Sequence, residues 1–368
     1  MAIDKKALLE RFLQYVQIDS ETGDEGAMAA RLVEDFKAIG CEVTTDEIHE
    51  VAQTTGCNVY ATLPGNPELE PLMFSAHMDT VVPGNGVKPR VDPDGFVRSD
   101  GTTVLGGDDK AGICAIMEAM KAVRDVEHRT VEAVITVREE SGMFGAKNLD
   151  YSRIASKSCI VLDSSGGPDK IITAAPGQNK IRATITGRRA HAGLAPETGI
   201  SAIQVAANAV ASMQLLRIDE ETTCNIGTFR AEGPTNVVSE TAFVELEVRS
   251  RNNDKLEAHT KHLVGCLEAA CEKSGAKLDC EVSTSYLGYS HPADHPLVVR
   301  VAEVVRSVGL EPELTASGGG SDANIYGNNG IAAVNMGVGM GKVHTTSEEQ
   351  NIAEMEIASE VCFALMKA

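Results

Sequence analysis

Short apolar runs that end in a histidine or a carboxylate recur along this chain, and they limit its fold more than any other feature. Residues 72–76 (Leu-Met-Phe-Ser-Ala) lead into His77-Met78-Asp79, 131–137 lead to Glu139-Glu140 and 159–162 lead straight into Asp163. Between these runs lie stretches with helical apolar spacing, at 5–16, 25–39 and 111–123, the second closed by Gly40 in the usual C-cap position. Strand and helix in alternation predict an α/β fold, a mostly parallel sheet with helices on both faces. Functional side chains in such sheets lie just beyond the carboxyl ends of the strands. His77, Glu139, Glu140 and Asp163 all fall there.

The pattern changes near Gly177. Residues 180–186 alternate like a strand with one exposed face, 201–216 form an Ala-rich helical stretch, and 241–249 alternate again. A helix over 254–274 and a strand over 277–285 follow, and with one strand left unplaced between 216 and 241 the order is the β-α-β-β-α-β of the ferredoxin-like kind. Beyond it, a helix over 296–308, a strand over 332–336 and a last helix from about 352 resume the first pattern. The expected organisation is therefore a catalytic domain of 1–178 and 289–368, interrupted by a smaller domain of 179–288.

Composition narrows the function. The 368 residues exceed the size at which single cores stop growing, so two domains are the default. A formal charge of −20 opposes nucleic acid and anionic membranes. Aromatics at 4%, with no Trp, leave little for base stacking. Nine cysteines form no CxxC pair and no disulfide framework. The opening Met-Ala-Ile-Asp-Lys-Lys leads into an amphipathic helix, not a signal segment, and no run is long enough to span a bilayer. A reduced, cytoplasmic protein is expected.

Five features then ask for chemistry. In His77-Met78-Asp79 the first and third residues share a direction if the chain is extended, so Asp79 could orient His77 through its second ring nitrogen. Asp108-Asp109 follows Gly106-Gly107 and opens a helix, and Walker-type phosphate loops are absent. Glu139-Glu140 ends a strand, where neighbours point apart; one carboxylate can bind metal while the other meets a water. Asp163 ends another strand, and His344 follows a Gly-rich stretch. Each alone has an ordinary explanation as a turn or helix start. Together, two imidazoles and several carboxylates suit two divalent metals better than one.

These motifs resemble the co-catalytic zinc peptidases that include peptidase T, glutamate carboxypeptidase and aminoacylase, and the peptidase T-like branch most of all. The similarity runs over nearly the whole chain. It implies that His77, Asp108 and Asp163 hold one zinc, and that Asp108 bridges to a second held by Glu140 and His344. Cobalt or manganese are alternatives to zinc. By the same resemblance Asp79 orients His77 and Glu139 is the general base. His191 donates a hydrogen bond to the oxyanion, in cis or from a partner subunit. Asn236 and Arg249 hold the substrate backbone or carboxylate, Arg being suited to bidentate capture. Pairing of two chains through the inserted domain is also implied.

One departure bears on the substrate. Tripeptidase relatives carry Arg-Gly-Gly-Thr-Asp where this chain reads Gly318-Gly319-Gly320-Ser321-Asp322, which argues against strict tripeptidase activity. The leading expectation is an aminopeptidase acting on short peptides. An N-acyl-amino-acid deacylase or carboxypeptidase with the same metal chemistry stands beside it. A non-catalytic metal- or peptide-binding protein would be expected to have lost a ligand or the base, and none is lost.

Overall fold

Burial on both faces explains why the central strands show no apolar alternation. All six residues of Leu72–His77 and all six of Val131–Thr136 are buried, and strands covered on both sides read as continuous apolar runs. The computed structural model describes residues 3–367. Packing divides the chain into two units. One comprises the residues up to Ala174, His291–Ser317 and those from Ser321 on; the other comprises Ala175–Ser290 with Gly318–Gly320.

In the first unit, Val131–Thr136, Leu72–His77, Ser158–Ser165 and Ala332–Gly341 lie side by side, each parallel to its neighbour. Antiparallel strands widen this parallel middle. Val59–Leu63 and Glu42–Thr45 extend one side, while Glu349–Asn351, Phe96–Arg98 and Arg90–Val91 extend the other. The fold is α/β, with the large sheet's parallel strands at its centre. Helix Gly107–Val123 lies on Leu72–His77 and Ser158–Ser165 and packs against Ile352–Met366. That approach is close: a Cβ at Gly112 would stand 2.5 Å from the Leu162 carbonyl oxygen. Gly40 caps Gly26–Ile39 in the left-handed conformation, φ 103°.

The second unit carries an antiparallel sheet in the order Leu216–Arg217, Thr222–Arg230, Thr241–Ser250, Gly177–Thr186, Lys277–Tyr286. Helices Ala202–Ser212 and Asn253–Ser274 pack on it and on each other. Ile181, Ala183, Val244, Leu246, Leu263 and Leu267 belong to one buried cluster beneath them. This is the ferredoxin-like arrangement.

Two elements differ from the reading of the sequence. Strand Thr222–Arg230 went unplaced because its register shifts between Ile226 and Thr228, around Gly227, which breaks the period of two. The helix expected over 201–216 stops at Ser212, since Met213 is already extended and Leu216 takes φ 66° at the start of an edge strand. Among the described residues, no helix is long and apolar enough to cross a membrane.

Candidate metal centre

His77 is the last residue of its strand and is 2% exposed. Its Nδ1 lies 2.9 Å from the carbonyl oxygen of Asp79. A carbonyl can only accept, so Nδ1 carries the proton and, in the neutral ring, Nε2 presents a lone pair. That lone pair faces Asp108 Oδ1 at 3.0 Å and Asp163 Oδ1 at 3.9 Å. At such range the pair needs either a proton on Nε2, which burial opposes but the contacts with Asp108 and Asp79 favour, or a metal cation between them.

The acceptor on Nδ1 is therefore the main chain of Asp79, whose carboxylate stands 3.5 Å away. The carboxylate has other work. It accepts from Glu139 N at 2.9 Å, from Glu140 N at 3.3 Å and from the Thr22 hydroxyl at 2.8 Å. Strand Val131–Thr136 has ended by then, and Arg138 turns the chain with φ 52°. The peptide N–H groups of 139 and 140 lie beyond that strand's ladder, and the buried Asp79 carboxylate satisfies them.

Asp108 and Asp109 sit at the mouth of helix Gly107–Val123 with non-helical backbone angles. Their carboxylates diverge. Asp109 spends one oxygen on His77 N and the other on Gly112 N, both at 3.2 Å. Asp108 turns one oxygen to His77 and the other, Oδ2, to His344 Nε2 at 3.3 Å. His344 also lies 2.9 Å from Glu140 Oε1, a buried atom that makes no hydrogen bond despite the short distance. Two trios have ligand atoms within 4.8 Å of one another: His77 with Asp108 and Glu140, and His77 with Asp109 and Asp163. These residues can hold a metal ion. Because both oxygens of Asp109 are taken up by peptide groups, Asp108 is the carboxylate free to serve two neighbours.

Asp163 reaches the group from a bulge in its strand. Asn335 of the adjacent strand opposes Val161 while Gly337 opposes Ser164, so two residues stand against one. The displaced peptide groups of Asp163 are taken up by a single side chain: Asp163 N donates to Asn335 Oδ1 at 2.9 Å, and Asn335 Nδ2 donates to Asp163 O at 2.5 Å.

The electrostatics suit a cluster that takes up a cation. Burial, then the charge of Asp163, raises Glu139 well above the ordinary carboxylate range; burial likewise raises Asp163. Contacts with Asp108 and Glu140 push His344 up to about 10. Asp108 is lowered: burial opposes its charge, but His344 and His77 outweigh it. Metal cations would invert this balance and let every carboxylate ionise together.

A sequence model of a known family matches residues 73–368. The chain belongs to peptidase family M20/M25/M40. The crystal structure of aminopeptidase PepT from Bacillus cereus is 41% identical and superposes with a TM-score of 0.95, over 99% of this chain and 98% of that one. A tripeptidase structure from Staphylococcus aureus is 37% identical with a TM-score of 0.96, over 100% and 99%. Peptidase T of Geobacillus thermodenitrificans is 26% identical over 99% of this chain and 98% of its own. This M20/M25/M40 member is thus a peptidase T-like metallopeptidase.

The remaining candidates lie in the second unit. His191 and Asn236 occupy neighbouring exposed loops, joined where Ala192 N donates to Asn236 O at 2.9 Å. The His191 Nδ1 accepts from Gly193 N and Leu194 N at 3.2 Å, so that nitrogen is unprotonated and the ring is held by its own turn. Arg249 stands apart on strand Thr241–Ser250, paired with Glu247 at 2.8 Å. Three buried residues near the metal centre escaped the sequence reading: Asn335, Asp322 and Glu348. A Glu four residues after His344 was the available signal for the last, and the Gly-rich motif ending in Asp322 for the second; Asn335 had none.

Proposed function

We propose that this peptidase is a two-metal aminopeptidase that removes the N-terminal residue of short peptides. The observation that carries the reading is the divided carboxylate of Asp108, one oxygen toward His77 and the other toward His344. His77, Asp108 and Asp163 would hold one ion, and Asp108, Glu140 and His344 the other. When bound, two divalent ions would supply Lewis acidity to a water and to the scissile carbonyl. Zinc is the proposed metal, with cobalt or manganese as substitutes.

Glu139 takes the proton from the attacking water and returns it to the leaving amine. Its peptide N–H is pinned by Asp79, which leaves its carboxylate as the mobile partner beside the ligand Glu140. In the second unit, His191 supplies a donor for the developing oxyanion, while Asn236 and Arg249 hold the substrate backbone and carboxylate. The Glu247 pairing tempers the charge of Arg249, and residue 318 is Gly where tripeptidases have Arg; both favour tolerance of blocked C-termini. A cytoplasmic location and pairing of two chains through the second unit belong to the same proposal.

The test is hydrolysis of free-amine di- and tripeptides, their N-acetylated forms and their C-terminal amides by metal-loaded enzyme. Turnover should vanish on N-acetylation and survive amidation. Preference for the acylated substrates would transfer the protein to the deacylases.

A further inference from the structure

Glu348 is 2% exposed and makes no ion pair with a lysine or arginine among the described residues, though the buried Lys110 feels its charge, and three peptide N–H groups converge on its carboxylate. Leu105 N and Gly106 N donate to Oε2 at 2.7 and 2.9 Å, and Asp108 N donates to Oε1 at 3.0 Å. We propose that Glu348 is a positioning residue that ties the turn carrying Asp108 to the loop carrying His344, and so sets the spacing between the two halves of the metal centre. The proposal rests on the two-metal reading above.

Both ends of the tie are otherwise weakly constrained. The turn at 105–109 is neither helix nor ladder: Gly106 is left-handed at φ 76°, and Asp108 and Asp109 depart from helical angles. Its N–H groups have no helical carbonyl to meet, as at any helix start. On the other side, the loop of His344 rises from strand Ala332–Gly341 through Lys342 and His344, both at positive φ. It closes on itself through Glu348 N donating to Thr345 O at 3.0 Å. Glu348 then opens strand Glu349–Asn351, which is paired on both edges and cannot shift freely.

A carboxylate suits this post better than any neutral group. It offers acceptors only, and hydrogen bonds to a charged acceptor are about twice as strong as neutral ones. The neighbouring glycine is part of the fit: a Cβ at Gly107 would come 3.2 Å from Glu348 Oε1. Glutamine at 348 would aim an amide donor at one of the converging N–H groups, leaving the shape nearly intact but the turn repelled.

Calorimetric titration of metal-free protein with Zn²⁺, and the visible absorption of the Co²⁺-loaded form, test this. Wild type should take two ions per chain. In Glu348→Gln at least one ion should bind about 10–100-fold more weakly, the scale of lost outer-sphere support, with an altered Co²⁺ spectrum. Gly107→Ala, which keeps the charge but crowds it, should shift affinity in the same direction. Glu349→Gln, outside the cage, should bind as wild type. Wild-type affinities and spectra in both cage variants would overturn the proposal. So would urea midpoints of both metal-free variants far below that of metal-free wild type, which would make the tie merely structural. Uptake of fewer than two ions by wild type would instead bring down the two-metal reading, and this proposal with it.

Discussion

The candidate metal ring of the first unit and the polar residues of the second are built on different terms. Four of its five members, His77, Asp108, Glu140 and Asp163, keep side-chain exposures of 2, 12, 8 and 14%, while His344 stands on an outer loop at 52%. Each is backed by groups that satisfy the peptide around it: Asp79 behind 139 and 140, Asn335 behind Asp163, Glu348 behind Asp108. His191 and Asn236 sit on exposed loops, and Arg249 shares its charge with a neighbouring Glu247. Buried charge is tolerated only with fixed partners, so the ring must be rigid before any ligand arrives. Exposed loop residues carry no such debt and can adapt to what they meet.

The sharpest way to break that contrast is Glu139→Gln. A general base contributes about 10²–10⁴-fold, and kcat should fall by that much while the metal content, measured by atomic absorption, stays unchanged. Loss of metal along with activity would mean that Glu139 is a ligand and the ring is drawn wrongly.

Next comes the support behind the ring. Asn335→Leu strands one N–H and one carbonyl of Asp163 in a buried bulge. At roughly 1–3 kcal/mol for each unsatisfied group, urea denaturation should show a loss of about 2–6 kcal/mol, together with weakened metal binding. A loss under about 1 kcal/mol would show that the bulge stands without its clamp.

In the second unit, effects should be smaller and of another kind. Arg249→Leu should raise KM for peptides with a free carboxylate about tenfold, near one charge-assisted contact, leave kcat alone, and spare the C-terminal amides. An equal effect on amides would remove Arg249 from carboxylate recognition.

The smallest expected effect concerns stability against pH. Burial lowers His259 from 6.5, so the unfolded chain takes up its proton first as pH falls. Its contribution is whole above about pH 6.5 and is lost as pH drops through the lower folded value. His259→Gln should flatten the urea-stability profile between pH 5 and 7, with metal binding untouched; an unchanged slope would show that other groups set it.

Much of the ring was legible because its signals are local. A strand buried on both faces announces itself as an apolar run, and the residue after it stands at the sheet's edge, which is how His77, Glu139, Glu140 and Asp163 could be found. The inserted unit was legible from the switch to alternation, although Gly227 hid one of its strands. Asp79 was found in the right place, but its carboxylate serves the peptides of 139 and 140, while its main chain serves His77.

By itself, then, the sequence determined the α/β order and the presence of a second sheet unit, and it marked His77, Asp108, Glu140 and Asp163, which the fold brings together, since periodicity and strand ends are properties of a few neighbouring residues. No local pattern separates Asp108 from Asp109; the resemblance pointed to Asp108, and the tertiary structure turns its carboxylate to the two histidines and decides which side chains support the cluster. The Asn335 clamp on Asp163 spans 172 residues and the Glu348 tie to Asp108 spans 240. Such contacts exist because a folded interior must pair every peptide group it buries, and no local pattern records which distant side chain will do so.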